Sequence, residues 1–188
     1  MNMNTKANRN LYGALMATVL LVGVVLACSG GDETDKANKL VDEGNTAINE
    51  GKKYLSDAEE KKDKMLRTDV SQLAEARTLA NESIRIYQQA EDKCKDAVTK
   101  FEEASKLKIN DKFKDYLSLK VKEYNKRAEL VDTLKSIPQA LIDSQTKSAF
   151  TSRGNAATEK AERLNKEAQD LSDQADKVQK DNPDAFKK

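Results

Sequence analysis

Histidine and tryptophan are absent from this 188-residue chain, and it holds only two cysteines, two prolines and 5% aromatic residues. Each shortage removes a class of chemistry. Without histidine there is no haem ligand of the common kind, no Glu-x-x-His di-iron site, no ordinary zinc site and no Ser-His-Asp triad. Glycine-rich phosphate loops are missing too. The only adjacent glycines, Gly30 and Gly31, do not lead into the Lys-Ser/Thr pair that such a loop needs. The sequence therefore predicts a protein that is not an enzyme and holds no metal or cofactor. Two prolines and seven glycines are also too few to punctuate many short strands, and two of those glycines, Gly13 and Gly23, fall in an apolar N-terminal run.

What is present is an alphabet of Ala, Glu, Lys, Asp and Leu, with 35% of residues charged, the composition of long amphipathic helices. The charges nearly cancel: 33 basic residues face 32 acidic ones. They are interspersed along the chain, as in "DAEEKKDK" and "EKAERLNKEAQD", which reads as solvated helix faces with i,i+4 pairs. No continuous basic stripe emerges, so a nucleic-acid partner is not expected.

The N-terminus divides into zones. Residues 1 to 10 carry Lys6 and Arg9 and no acid, whereas residues 11 to 27, "LYGALMATVLLVGVVLA", carry no charge at all. Seventeen apolar residues are short for a stable membrane span and suit the apolar region of a secretion signal. Removing Lys6 and Arg9 with that segment leaves 31 basic residues against 32 acidic ones. From Cys28 onward "CSGGDETDK" is small and then charged, with little to bury, and is expected to be a flexible tether.

The stretch Val25-Leu26-Ala27-Cys28 resembles the lipobox of bacterial lipoprotein precursors. The resemblance implies that Cys28 receives a diacylglyceryl group and that a signal peptidase cuts between Ala27 and Cys28. The new amino group is then often acylated, and two or three acyl chains anchor a protein stably where one is marginal. Leu26 departs from the smaller residues commoner at its position, and the resemblance covers only about the first 28 residues. Ser29, rather than Asp, follows the lipid cysteine, which by the same resemblance implies an outer-membrane destination. With Cys28 acylated, Cys94 would be the remaining thiol, and its place on an apolar stripe predicts a core residue.

The remainder is periodic. Apolar or small residues recur at Ala37, Val41, Gly44, Ile48, Gly51, Leu55, Ala58 and Met65, with one polar gap at Lys62. Three more runs start at Leu73, Phe113 and Ala157, and all keep the spacing near 3.5 residues that holds one seam of a helix against its partners. Four long helices are predicted, with caps at Thr68 and Asp69 and at Asn110 and Asp111, a third turn in "TSRGN" (151–155), and a stop at Asn182 and Pro183. Pro138 lies inside the third pattern and should kink it. Gly44 and Gly51 on the first stripe predict a close helix contact. The segment "EGNTAINEGKKYLSDAE" resembles the first part of a tetratricopeptide repeat, but no second copy follows at the repeat's period. The expected organisation is a signal peptide (1–27), a lipidated cysteine and tether (28–36), a helical bundle (37–182) and a short tail (183–188). The fold class is all-α, an elongated antiparallel four-helix bundle or a set of helical coiled-coil hairpins.

Two functions from different classes fit such a chain. One is an envelope scaffold or spacer held to the membrane through Cys28. Its terminal Lys187 and Lys188 give it an outline similar to the murein lipoproteins, whose terminal lysine joins peptidoglycan, and that resemblance implies peptidoglycan as a partner. The other is a surface-exposed lipoprotein that binds a protein partner or host component. Its candidate patches are Tyr54 and Tyr116, which lie off the stripes, and the segment around Pro138 that holds Ile137, Leu141, Ile142 and Phe150. A core role for those last four residues is the preferred expectation.

Overall fold

The computed structural model describes residues 33–187, so Ala27, Cys28 and the signal and tether residues before Glu33 lie outside the described residues. Four helices follow one another: α1 (Thr34–Arg67), α2 (Leu73–Ser105), α3 (Asp111–Asp143) and α4 (Lys147–Asp181). Two 3-10 turns, Val70–Gln72 and Pro183–Phe186, complete the order, and no strand occurs among the described residues. At 33 to 35 residues each, the helices are about 50 Å long. The short connections fold them into antiparallel neighbours.

The helices start where local chemistry dictates. Asn110 caps α3 by accepting a hydrogen bond from the Lys112 backbone N–H at 2.8 Å, and Asp111 places a negative charge in the positive first turn. Asp69 accepts from the Ser71 backbone N–H at 2.8 Å, so it caps the 3-10 turn that precedes α2 and not α2 itself. The predicted turn at Thr151–Asn155 is not where the chain reverses. The reversal falls at 144–146, Thr146 caps α4 by accepting from the Ala149 N–H at 3.2 Å, and Ser152, Gly154 and Asn155 lie within the helix. Helix α3 continues through Pro138, which is buried.

The predicted stripes form the core. All eight apolar or small positions of the first run, from Ala37 to Met65, are buried on α1. Three positions of the second run depart from it: Leu73, the first residue of α2, stands 45% exposed, Ile84 is half-buried while its neighbour Ser83 is buried, and Cys94 is half-buried. The Ser83 hydroxyl donates to the Ala58 carbonyl at 2.9 Å and ties α2 to α1. Both stripe glycines lie at a tight α1–α2 contact. A Cβ on Gly44 would lie 2.8 Å from the Phe101 ring, and one on Gly51 would lie 3.1 Å from Lys93 Cβ.

The core divides into three apolar clusters along the rod. The first includes Ala37, Val41, Phe101, Phe113 and Leu117, the second Leu55, Ala58, Tyr87, Leu130 and Leu134, and the third Met65, Ala76 and Ala80. The chain after Asn182 is not a loose tail. Its 3-10 turn buries Ala185 and Phe186, with the Phe186 ring 4.7 Å from Phe113 and edge-on to Tyr116 at 5.3 Å. The start of α1 is held at the same end of the rod. Glu33 exchanges hydrogen bonds with the Lys108 backbone, 3.0 Å in each direction, and Asn38 donates to the Phe186 carbonyl at 3.3 Å. The helix extends back to Thr34, so residues 34–36 belong to α1 and not to the expected tether.

Packing follows chain order. Helix α1 lies along α2, α2 along α3 and α3 along α4, whereas α1 and α4 make no comparable backbone approach. Cross-helix ion pairs lace the outer seams: Glu50 with Lys93 at 2.7 Å and Glu43 with Lys100 at 3.0 Å between α1 and α2, and Lys126 with Glu167 at 2.9 Å between α3 and α4. The bundle is therefore open along one side.

Candidate functional site

Charged side chains enter the core beside Glu91 of α2, which is 8% exposed and pairs with Lys95 and Lys135, and at two further levels, at the junctions between the apolar clusters. At the junction of the second and third clusters, Glu59 and Lys62 of α1 are buried, at 7% and 2% exposure, and pair with each other; Glu59 also accepts from the Tyr87 hydroxyl of α2. Lys62 is the residue that marks the polar gap in the α1 stripe. Its position on the buried face follows from the helical period, and its carboxylate partner three residues earlier makes that burial tolerable.

At the junction of the first and second clusters the arrangement differs. Glu123 of α3, only 1% exposed, accepts from Lys120 Nζ at 2.5 Å and from Arg127 Nε at 2.8 Å, so both carboxylate oxygens are engaged. Both cations lie over the Tyr124 ring, with Lys120 Nζ 5.0 Å and the Arg127 guanidinium carbon 5.6 Å from its centroid. Lys52 reaches toward them from α1 and has no ion-pair partner among the described residues. Partial burial lowers its pKa, the nearby charges of Arg127 and Lys120 lower it further, and Glu123 offsets part of that. Asp176 of α4 is the other carboxylate close by, and burial raises its pKa against the pull of Lys120.

Lys52, Lys120, Glu123, Tyr124 and Arg127 border a shallow open groove whose enclosed space is about 40 Å³. Helix α1 contributes Ile48, Gly51, Lys52 and Leu55 to one wall and α4 contributes Ser172 to the other. The floor comes from α2 and α3, including Cys94, Tyr124, Leu130 and Val131. The groove runs along the side where α1 and α4 stand apart. It combines an apolar floor with a cluster of cations, a setting in which charge interactions are stronger than in open water.

Cys94 packs beside the first cluster and lines this groove, half-buried and not fully enclosed as its stripe position predicts. Burial pushes its thiol pKa up to about 12, so the thiolate needed for exchange or oxidation is scarce at neutral pH. Of the predicted surface patches, Tyr116 is buried among Phe113 and Phe186 and is not a surface residue, and Tyr54 packs against the second cluster. Ile137 is buried; Leu141, Ile142 and Phe150 are half-buried against the third cluster, in agreement with a core role. Among the described residues no cluster of His, Cys, Asp and Glu is suited to a metal ion, and no helix is long and apolar enough to cross a membrane.

Compared with known proteins, the chain matches no protein family, no curated protein and no solved structure. The groove and its cations were not expected from the sequence. Lys120, Glu123 and Arg127 stand three and four apart, the spacing of ordinary exposed pairs on a helix, and Lys52 joins them only through the packing of α1.

Proposed function

We propose that the chain is a lipid-anchored bacterial envelope protein whose helical bundle acts as a non-catalytic spacer or scaffold, held at the outer membrane through Cys28. One observation carries the reading. The start of α1 is tied to the α2–α3 connection and to the C-terminal turn, so a tether from Cys28 would join one end of the rod. The opposite end, where α1 turns into α2 and α3 into α4, then stands about 50 Å away. The lipobox resemblance of Val25 to Cys28 supplies the anchor. Metabolic labelling with a radioactive fatty acid tests it: the wild-type chain takes up label and Cys28→Ala takes up none, whereas equal labelling of the two removes the anchor.

A second reading, a surface lipoprotein that captures a protein partner, is favoured by the far tip. There Leu73 is 45% exposed at the start of α2, near the half-buried Leu141, Ile142 and Phe150. Protease added to intact cells separates the two readings. Digestion of the bundle favours capture at the cell surface, and protection that ends when the outer membrane is permeabilised favours the periplasmic scaffold.

A further inference from the structure

The geometry points to the α1–α4 groove as a binding site for a small amphipathic oxyanion, a carboxylate or phosphate head carrying a short apolar chain. The head is assigned to Lys52, Arg127 and Lys120. Glu123 occupies only the Nε of Arg127 and one donor of Lys120, so the terminal guanidinium nitrogens, the remaining Lys120 donors and the whole Lys52 ammonium stay available. The cations outnumber the carboxylates three to two even with Asp176 included, and Asp176, its pKa raised by burial, is the poorer counter-charge. A planar guanidinium fork matches an oxyanion with two acceptor oxygens, and an ammonium on the facing wall closes the other side. The apolar chain is assigned to the surface of Ile48, Leu55, Leu130 and Val131 beside that head site. A metal ion or a cationic ligand is disfavoured by the same surplus of positive charge. The inference does not depend on lipid anchoring and would hold for the bundle in any compartment.

The partly desolvated Lys52 gives the site a reason to favour an anion. An ammonium without a carboxylate partner is held in a position that water solvates incompletely, and an incoming oxyanion supplies the missing acceptor. Substituting Lys52 breaks no hydrogen bond or ion pair recorded in the fold, so variants at this position should retain the bundle.

Isothermal titration of the purified full chain with octanoate, octyl phosphate, inorganic phosphate and octanol tests the assignment. The expected result is binding of octanoate or octyl phosphate that weakens with added salt, with the tighter of the two naming the head group. Lys52→Met should bind that anion at least about tenfold more weakly, while Lys52→Arg should retain it. Octanol should bind poorly for want of a charge, and inorganic phosphate poorly for want of an apolar chain. No binding of either amphipathic anion overturns the proposal, as does binding that is indifferent to Lys52→Met, octanol binding equal to that of octanoate, or inorganic phosphate binding equal to that of octyl phosphate. If circular dichroism shows that Lys52→Met has lost its helices, salt dependence of wild-type binding decides instead, and indifference to salt overturns the site.

Discussion

The two charged levels at the cluster junctions are built from the same materials and end differently. Around Glu59 one buried carboxylate meets one buried lysine and a tyrosine hydroxyl, and the level is sealed between α1 and α2. Around Glu123 one buried carboxylate is shared by Lys120 and Arg127, a third cation approaches from α1, and the level opens to solvent between α1 and α4. A buried ion pair is weak evidence of stabilisation, because desolvation consumes much of the attraction. The difference that matters is whether charge and donors are used up within the fold. In the sealed level the carboxylate satisfies its neighbours; in the open level positive charge is left over and faces a groove.

The sharpest way to break this comparison is to remove each carboxylate in turn. Glu123→Gln leaves Lys120 and Arg127 close together with no anion between them, and should cost about 3–5 kcal/mol, the scale for a buried pair that loses one partner. Glu59→Gln should cost less, about 1–3 kcal/mol, because an amide can still accept from Tyr87 and Asp63 lies 4.0 Å from Lys62. Urea denaturation measures both. Added octyl phosphate should recover part of the Glu123→Gln loss and none of the Glu59→Gln loss, since only the open level admits an anion that binds the folded state. Equal losses and equal responses to octyl phosphate would remove the distinction between the levels.

A second comparison sharpens the sealed level alone. Replacing it by Glu59→Met with Lys62→Met and Tyr87→Phe removes both buried charges and the hydroxyl that donates to Glu59 together. Such replacements are commonly neutral or stabilising by about 1–4 kcal/mol, and that outcome is expected here. A clear loss of stability, read from the urea midpoint, would mean that the sealed level does more than fill its place in the core.

How much of this was legible in the sequence follows from which contacts are local. The four helices were legible because a repeat near 3.5 residues writes the buried face of each helix directly into the chain. Lys62 is visible as a gap in the α1 stripe, although the Tyr87 hydroxyl that shares its partner Glu59 is not. The third turn is hidden because Gly154 and Asn155 carry turn chemistry inside the helix, whereas the cap that starts α4 is the single hydroxyl of Thr146. Tyr116 lies off the stripe in the sequence and is nonetheless buried, because its burial draws on Phe186, far along the chain. The groove was hidden for a like reason. Whether Lys52 faces Arg127, and whether α1 touches α4, depends on the register and spacing between helices, which intrahelical periodicity does not encode.

The glycines of α1 supply the last and smallest test, because they bear on why the groove is open. The close approach at Gly44 and Gly51 sets α1 against α2, and Gly51 also borders the groove. Gly44→Ala would press a Cβ to 2.8 Å from the Phe101 ring, which is fully buried and packs against Tyr124 at 5.8 Å. Overpacking of that kind should outweigh the gain in helix propensity and leave a net loss of about 1–2 kcal/mol. Gly154→Ala on α4 is the matched control. Its Cβ would meet nothing within 4 Å, so the propensity gain stands alone and should stabilise the bundle by up to about 1 kcal/mol. Opposite signs in thermal denaturation would tie the glycines of α1, and not glycine in these helices generally, to the packing that draws α1 onto α2 beside the groove.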